Sequence, residues 1–123
     1  MKIYLAGPMP TQKKWREKIT NKLLALNKEI IVYNPEFFEN TATDATTVNF
    51  DKAKIIKSDM VIANITRLSA GTSMEILFAW ERNIPVLLIV SDKKLSGPWL
   101  RFHSSFLVSN IEQAVEIVRK ELI

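Results

Sequence analysis

The chain has 123 residues, 47% of them hydrophobic and 24% charged, and its formal net charge is +4 at pH 7. This length and composition are typical of one globular domain and exclude a disordered chain. Cysteine is absent, which excludes a disulfide framework and a thiol nucleophile. We expect a single domain over residues 1–123, located in the cytoplasm, because the sequence has neither a signal peptide nor a stretch of roughly 20 apolar residues.

The excess positive charge raises the question of nucleic acid binding. Basic residues crowd the segment 13–22, but the same segment carries the start of an apolar stripe at Trp15, Ile19 and Leu23. Charges opposite such a stripe are typical of a solvated helix face. No recognition helix, zinc finger or aromatic-basic RNA motif is present. We therefore expect no nucleic acid and no membrane partner, and interpret the charge as attraction for a small anionic substrate.

Strands and helices alternate along the chain. We predict five strands, over residues 2–6, 29–33, 60–65, 85–90 and 106–108. We predict helices over residues 11–26 (capped by Thr11), over 47–57, from the segment containing Glu75 to about Arg82, and over 111–122. Residues 37–47 are predicted to form a loop, and residues 91–105 a connection. This alternation predicts a three-layer α/β/α domain. We expect a five-stranded parallel sheet in the flavodoxin-like or Rossmann-like order 2-1-3-4-5.

Glu75 follows the third predicted strand, in Gly71-Thr72-Ser73-Met74-Glu75. We place it in the first turn of a helix at the carboxyl edge of the sheet, where open α/β sheets bind ligands. The helix dipole there favours an ionised carboxylate, which a nucleophile requires. The alternative is a capping box, because Thr72-x-x-Glu75 also fits a glutamate that only bonds the backbone of a capping threonine.

Four other polar residues are candidates for a structural or a functional role. Asp51 is either a solvent-facing residue paired with Lys54 or a site acid. Tyr4 is either a core residue or the donor that orients a carboxylate. Asp59, at the amino end of its strand, suggests a structural turn, and the single His103 suggests a phosphate contact or a surface role. We expect no metal site and no organic cofactor, because His103 has no second histidine or carboxylate cluster to join.

Four motifs occur in order along nearly the whole chain. They are Ile3-Tyr4-Leu5-Ala6-Gly7, Asp51-x7-Asp59-Met60-Val61-Ile62-Ala63-Asn64, Gly71-Thr72-Ser73-Met74-Glu75-Ile76-x2-Ala79 and Pro85-Val86-Leu87-Leu88. Together they resemble the nucleoside 2-deoxyribosyltransferase family, which includes the deoxynucleoside 5′-monophosphate N-hydrolases. The resemblance implies that Glu75 attacks C1′ of the sugar, that Asp51 moves protons on and off the nucleobase, and that Tyr4 positions the nucleophile. This is the two-carboxylate chemistry of retaining glycosidases.

We expect six residues to bind the substrate. Gly7, Ser69, Gly71 and Thr72 lie in or beside the motifs that carry the resemblance, and Arg101 and His103 are basic residues expected near the same edge of the sheet. Transferases of free nucleosides tend to carry an acid where this chain has Ser69, whereas the hydrolase branch tends to have a serine that contacts the 5′-phosphate. A Ser-Ala-Gly run before a helix suits an anion on physical grounds, although an ordinary loop serine is the alternative.

We therefore expect an enzyme that cleaves the N-glycosidic bond of deoxynucleosides or their 5′-monophosphates, by transfer to another base or to water. The alternatives are an NAD-type glycohydrolase and a non-catalytic nucleotide-binding module in which Glu75 is only a cap. We also expect a homo-oligomer, a dimer or larger, since family relatives complete their pocket with a neighbouring subunit. Trp99, Phe102 and Phe106 suit either that contact or the core.

Overall fold

The computed structural model describes residues 1–8, 14–35 and 43–122. The elements in chain order are β1 (Lys2–Ala6), α1 (Trp15–Leu26), β2 (Ile31–Tyr33), α2 (Asp44–Ile56), β3 (Met60–Ile65), α3 (Ala70–Glu81), β4 (Val86–Val90), α4 (Pro98–Phe102), β5 (Phe106–Val108) and α5 (Ile111–Glu121). A short 3₁₀ turn, Lys93–Leu95, precedes α4. No helix in these ranges has the length and apolar character needed to cross a bilayer.

The strands form one parallel sheet in the order β2-β1-β3-β4-β5, which confirms the predicted fold and strand order. Every residue of β3 and β4 is buried, as expected for central strands covered on both faces. The strand order reverses between β1 and β3. In open α/β sheets the crevice outside the carboxyl ends of such a strand pair is the usual ligand site.

Side-chain alternation along β1 divides the core into two layers. Ile3 and Leu5 belong to the cluster that packs under α1 and α5, whereas Tyr4 and Ala6 belong to the cluster under α2 and α3. Successive residues of a strand point to opposite faces, so Ile3 and Leu5 share one face of β1 while Tyr4 and Ala6 share the other. Tyr4 is thereby assigned to the layer that contains Glu75.

Helix α2 begins at Asp44, three residues before the predicted start. Thr43 is the reason, because its side-chain oxygen accepts a hydrogen bond from the backbone N–H of Thr46 at 3.2 Å and caps the helix. Residues 44–46 of the predicted loop are therefore helical, and that part of the prediction was wrong. The rest of that loop up to residue 42 and the predicted cap Thr11 lie outside the described residues.

Two other predictions need correction. Strand β2 begins at Ile31 and not at residue 29, because Asn27 turns the chain there: its side-chain oxygen accepts a hydrogen bond from the Glu29 N–H at 2.9 Å. The connection 91–105 contains α4, which opens with Pro98 in the first helical turn. Proline at that position is a known helix-start signal, and the prediction of a connection without a helix overlooked it.

Helix α3 ends at the predicted place. Asn83 has a φ of 60°, in the left-handed region, and its N–H donates to the Trp80 carbonyl while the Ile84 N–H donates to the Ala79 carbonyl. This is the Schellman arrangement that satisfies the last carbonyls of a helix, and asparagine tolerates the required conformation.

Asp59 has the structural position that the sequence indicated. Its carboxylate accepts a hydrogen bond from the Lys2 N–H at 2.7 Å, and its own N–H donates to the Lys2 carbonyl. The residue therefore ties the start of β3 to the start of β1, at the edge of the sheet opposite the crevice.

Candidate active site

A cleft of about 580 Å³ lies between α2 and α3, beyond the carboxyl end of β1. Six of the nine site residues expected from the sequence line it: Gly7, Asp51, Ser69, Gly71, Thr72 and Glu75. The other lining residues are mostly apolar, with Lys52 and Glu81 as further charged groups. The cleft thus combines a polar region, which contains the two acids, with an apolar wall that suits the face of an aromatic ring.

Helix α3 starts earlier than a capping box between Thr72 and Glu75 requires. Ser69 is the N-terminal cap, since its hydroxyl oxygen accepts a hydrogen bond from the Thr72 N–H at 3.4 Å. Thr72 is therefore inside the helix, and the capping-box interpretation is wrong. Glu75 lies in the second turn and not in the first, so the helix dipole contributes less to its ionisation than its expected first-turn position implied.

Glu75 instead has a tyrosine as hydrogen-bond donor. The hydroxyl of Tyr4, on β1, donates to Oε2 of Glu75, on α3. The two residues are 71 positions apart in the sequence, and Tyr4 is 1% exposed while Glu75 is partly buried. A donor held by the sheet therefore orients the carboxylate.

The environment of Tyr4 shows that several charges converge here. Burial raises the pKa of its phenol far above the usual range, as do the charge of Glu75, the hydrogen bond to Glu75 and the charge of Asp51, while Arg16 acts in the opposite direction. The phenol therefore remains protonated and is a donor at neutral pH. Asp51 itself, on α2, is half-buried and lines the same cleft as Glu75.

Gly7 approaches its neighbours so closely that a side chain would not fit. A Cβ atom at this position would lie 2.8 Å from Cζ2 of Trp15, 3.3 Å from Nη2 of Arg16 and 3.3 Å from the backbone oxygen of Asn64. The chain can pass from β1 into the crevice at this point only because residue 7 is a glycine.

Arg16 was expected on a solvated helix face, and that expectation was wrong. The residue is only 1% exposed in the first turn of α1, with Nη2 donating to the Gly7 carbonyl at 3.0 Å. The helical period carried a signal that the charge obscured, because Arg16 lies three residues before Ile19 and seven before Leu23, on the apolar face of α1.

Arg101 and His103 lie apart from the acids. His103 lines a second groove of about 440 Å³, which shares Met74 and Leu77 with the main cleft, and its Nδ1 is 2.7 Å from the Trp99 carbonyl oxygen. Arg101 donates to the Ser96 carbonyl. Neither is among the described residues that line the main cleft. The described part of the chain also contains no cluster of acidic, histidine or cysteine residues suited to a metal ion.

The sequence profile described as nucleoside 2-deoxyribosyltransferase matches residues 3–114. The chain belongs to the nucleoside 2-deoxyribosyltransferase family. No curated protein sequence matches it significantly. The family resemblance seen in the sequence is confirmed, and membership of this family supports a deoxyribosyltransferase type of activity.

Solved structures share the fold at low sequence identity. A 2-deoxyribosyltransferase from Leishmania mexicana superposes with a TM-score of 0.76 at 18% identity, covering 99% of both chains. The CMP N-glycosidase BcmB from Clostridium botulinum has a TM-score of 0.68 at 18% identity, covering 98% of this chain and 99% of its own. A molybdenum cofactor binding protein from Rippkaea orientalis has a TM-score of 0.69 at 15% identity, covering 99% and 97%. At these identities the likeness shows the fold alone.

Two glycines of the cleft give a matched test of this geometry. We expect Gly7→Ala to lower the free energy of unfolding by about 1–3 kcal/mol, because the added Cβ overlaps Trp15. Gly71→Ala is the control, since Gly71 lies in α3 where an added Cβ would meet no neighbour within 4 Å, and it should stabilise the helix by about 0.5–1 kcal/mol. Urea unfolding measures both, and equal effects would contradict the close approach at Gly7.

Proposed function

We propose that this protein cleaves the N-glycosidic bond of 2′-deoxynucleosides or their 5′-monophosphates through a covalent glycosyl intermediate on Glu75. The observation that carries the proposal is the hydrogen bond from Tyr4 to Glu75 in a cleft that Asp51 also lines. A nucleophilic carboxylate and a second acid are the two groups that retaining glycoside chemistry requires.

In the first step an oxygen of Glu75 bonds to C1′ of the sugar while the bond between C1′ and the base nitrogen breaks. The electron pair of that bond leaves with the base, and Asp51 supplies the proton that neutralises it. In the second step a new base or a water molecule attacks C1′ and restores the Glu75 carboxylate. Asp51 takes up the proton that this acceptor loses, so the enzyme returns to its starting state.

Tyr4 serves this chemistry as a fixed donor. Its phenol stays protonated, and its hydrogen bond holds the carboxylate of Glu75 in one orientation before the sugar arrives. Such preorganisation removes orientational freedom that the transition state would otherwise have to lose.

The start of α3 favours a 5′-monophosphate as substrate. Ser69, Gly71 and Thr72 line the cleft at the N-terminus of a twelve-residue helix, where backbone N–H groups and the helix dipole favour an anion. The positive net charge of the chain acts in the same direction. Arg101 and His103, expected from the sequence to contact the phosphate, lie outside this cleft and are not part of the proposal.

The nucleophile is tested by Glu75→Gln. The measurement is the rate at which free base is released from deoxynucleosides and deoxynucleoside 5′-monophosphates, monitored by chromatography. We expect this rate to fall by about 1,000-fold or more, because the amide cannot form a bond to C1′. Intact-mass measurement of the wild type during turnover should show a glycosyl adduct that the variant lacks. Glu81→Gln is the control, since it removes the same charge from the same helix and cleft without a bond to Tyr4. Normal turnover by folded Glu75→Gln would show that Glu75 is not the nucleophile. Adding a second base to the wild-type assay distinguishes transfer from hydrolysis.

The role of Asp51 as the proton donor is tested with the variant Asp51→Asn and two substrates that differ in the base that leaves. An ordinary purine base needs a proton to depart, whereas 7-methylguanine leaves as a neutral base without one. We expect the variant to lose about 100-fold or more in kcat/KM with 2′-deoxyguanosine substrates but much less with their 7-methyl derivatives. Equal losses with both substrates, measured by the same base-release assay, would show that Asp51 does not protonate the base.

We also propose that a second copy of the chain covers the apolar surface formed by Leu68, Met74, Trp99 and Phe102. These side chains are 70%, 69%, 77% and 68% exposed, and Met74 also lines the cleft, so a copy seated there would reach the cleft. Large exposed apolar patches mark interaction surfaces. Phe106 is half-buried against the core and is not part of this surface.

The assembly is tested by sedimentation equilibrium. We expect the wild type to sediment as a dimer or larger, and Trp99→Glu to shift it towards the monomer, because a buried unpaired carboxylate is costly. Lys94→Glu, a charge change on the neighbouring turn, should shift it less. A monomeric wild type would contradict the proposed assembly.

A further inference from the structure

Arg16 is the one charged residue that is buried within the described ranges. Burying a guanidinium costs free energy unless partners compensate for the lost water. Its Nη2 donates to the Gly7 carbonyl at 3.0 Å, and its guanidinium carbon lies 4.8 Å from the centre of the Trp15 ring. Helix α1 also carries lysines, but of its basic residues only Arg16 is drawn into the interior.

This burial holds a fixed positive charge beside Gly7, at one wall of the cleft. Gly7, which Arg16 holds, lines the cleft together with Asp51 and Glu75, and Gly7 follows Tyr4 by three residues, directly after β1. The charge of Arg16 reaches the Tyr4 phenol, where it lowers the pKa and so opposes the two carboxylates. The phenol is bonded to Glu75, so this carboxylate lies next to a group that the charge of Arg16 affects.

The other charged groups near Glu75 are arranged differently. Helix α2 contributes Asp51 and Lys52, and α3 itself contributes Glu81. Lys52 is exposed, and its ammonium lies 5.3 Å from the centre of the Phe78 ring, so water screens much of its charge. A guanidinium in the interior is screened far less, because the local dielectric constant is lower.

We propose that Arg16 is a positioning residue whose buried charge keeps Glu75 ionised beside Asp51 and whose bond to Gly7 holds the wall of the cleft. This inference rests on the proposed function. It assigns Arg16 no contact with substrate, because Arg16 acts through Gly7 and through the Tyr4–Glu75 pair. A purely structural arginine would affect folding but not the protonation of the nucleophile.

The test compares the pH dependence of kcat/KM for base release in four proteins. They are the wild type, Arg16→Gln, Arg16→Lys and the control Arg119→Gln, which removes an exposed arginine paired with Glu116 on α5. A positive charge stabilises an ionised carboxylate, so its loss means that Glu75 ionises only at higher pH. We expect the acid limb of Arg16→Gln to move up by about one pH unit, equivalent to about tenfold lower kcat/KM at low pH. Arg16→Lys and Arg119→Gln should keep the wild-type midpoint.

The pH profiles distinguish failure of this inference from failure of the proposed function. An unchanged acid limb in folded Arg16→Gln overturns the inference while leaving the proposed function intact, whereas a wild type without base release defeats the proposed function itself. If Arg16→Gln does not fold, a synthetic chain with citrulline in place of Arg16 keeps the shape and the N–H donors but not the charge. The same shift of the acid limb in the citrulline protein supports the inference. An unshifted pH profile, or failure of the citrulline protein to fold, would mean that the charge of Arg16 serves folding only, and would overturn the inference.

Discussion

The site depends on one hydrogen bond between two distant parts of the chain. Tyr4, in the first strand, donates to Glu75, in the third helix, and Tyr4 is buried while Glu75 is partly buried. The bond requires the phenol to remain protonated, and burial and the neighbouring negative charges raise its pKa accordingly. The rest of the architecture serves to bring this donor and this acceptor to the same edge of the sheet.

The two layers of the core make the contact between Tyr4 and Glu75 possible. Alternation in β1 directs Tyr4 into the layer under α2 and α3, and the reversal of strand order between β1 and β3 opens a crevice above it. Helix α2 then places Asp51 on the same cleft. The acids come from two different helices, so their separation depends on how α2 and α3 pack and not on any local motif.

The face of the sheet that α1 covers also contributes to the site. Arg16, in the layer with α1, extends to the Gly7 carbonyl, and the absence of a side chain at Gly7 lets the two approach. Both sides of the sheet therefore meet at the carboxyl end of β1. The buried guanidinium of Arg16 is thus held at the strand end that leads into the cleft of Asp51 and Glu75.

The sequence by itself determined the fold class, the strand order and the family, because hydrophobic periodicity and ordered motifs are local patterns that survive without coordinates. It also indicated Glu75, Asp51 and Tyr4 as candidates. Only the tertiary structure decided that Ser69 and not Thr72 caps α3, that Arg16 is buried, and that Arg101 and His103 lie away from the cleft. Ser69 and Thr72 both suit an N-terminal cap, so the local pattern leaves the start of α3 open. Burial, and the position of a side chain relative to the cleft, depend on contacts between segments distant in sequence, which no local pattern encodes.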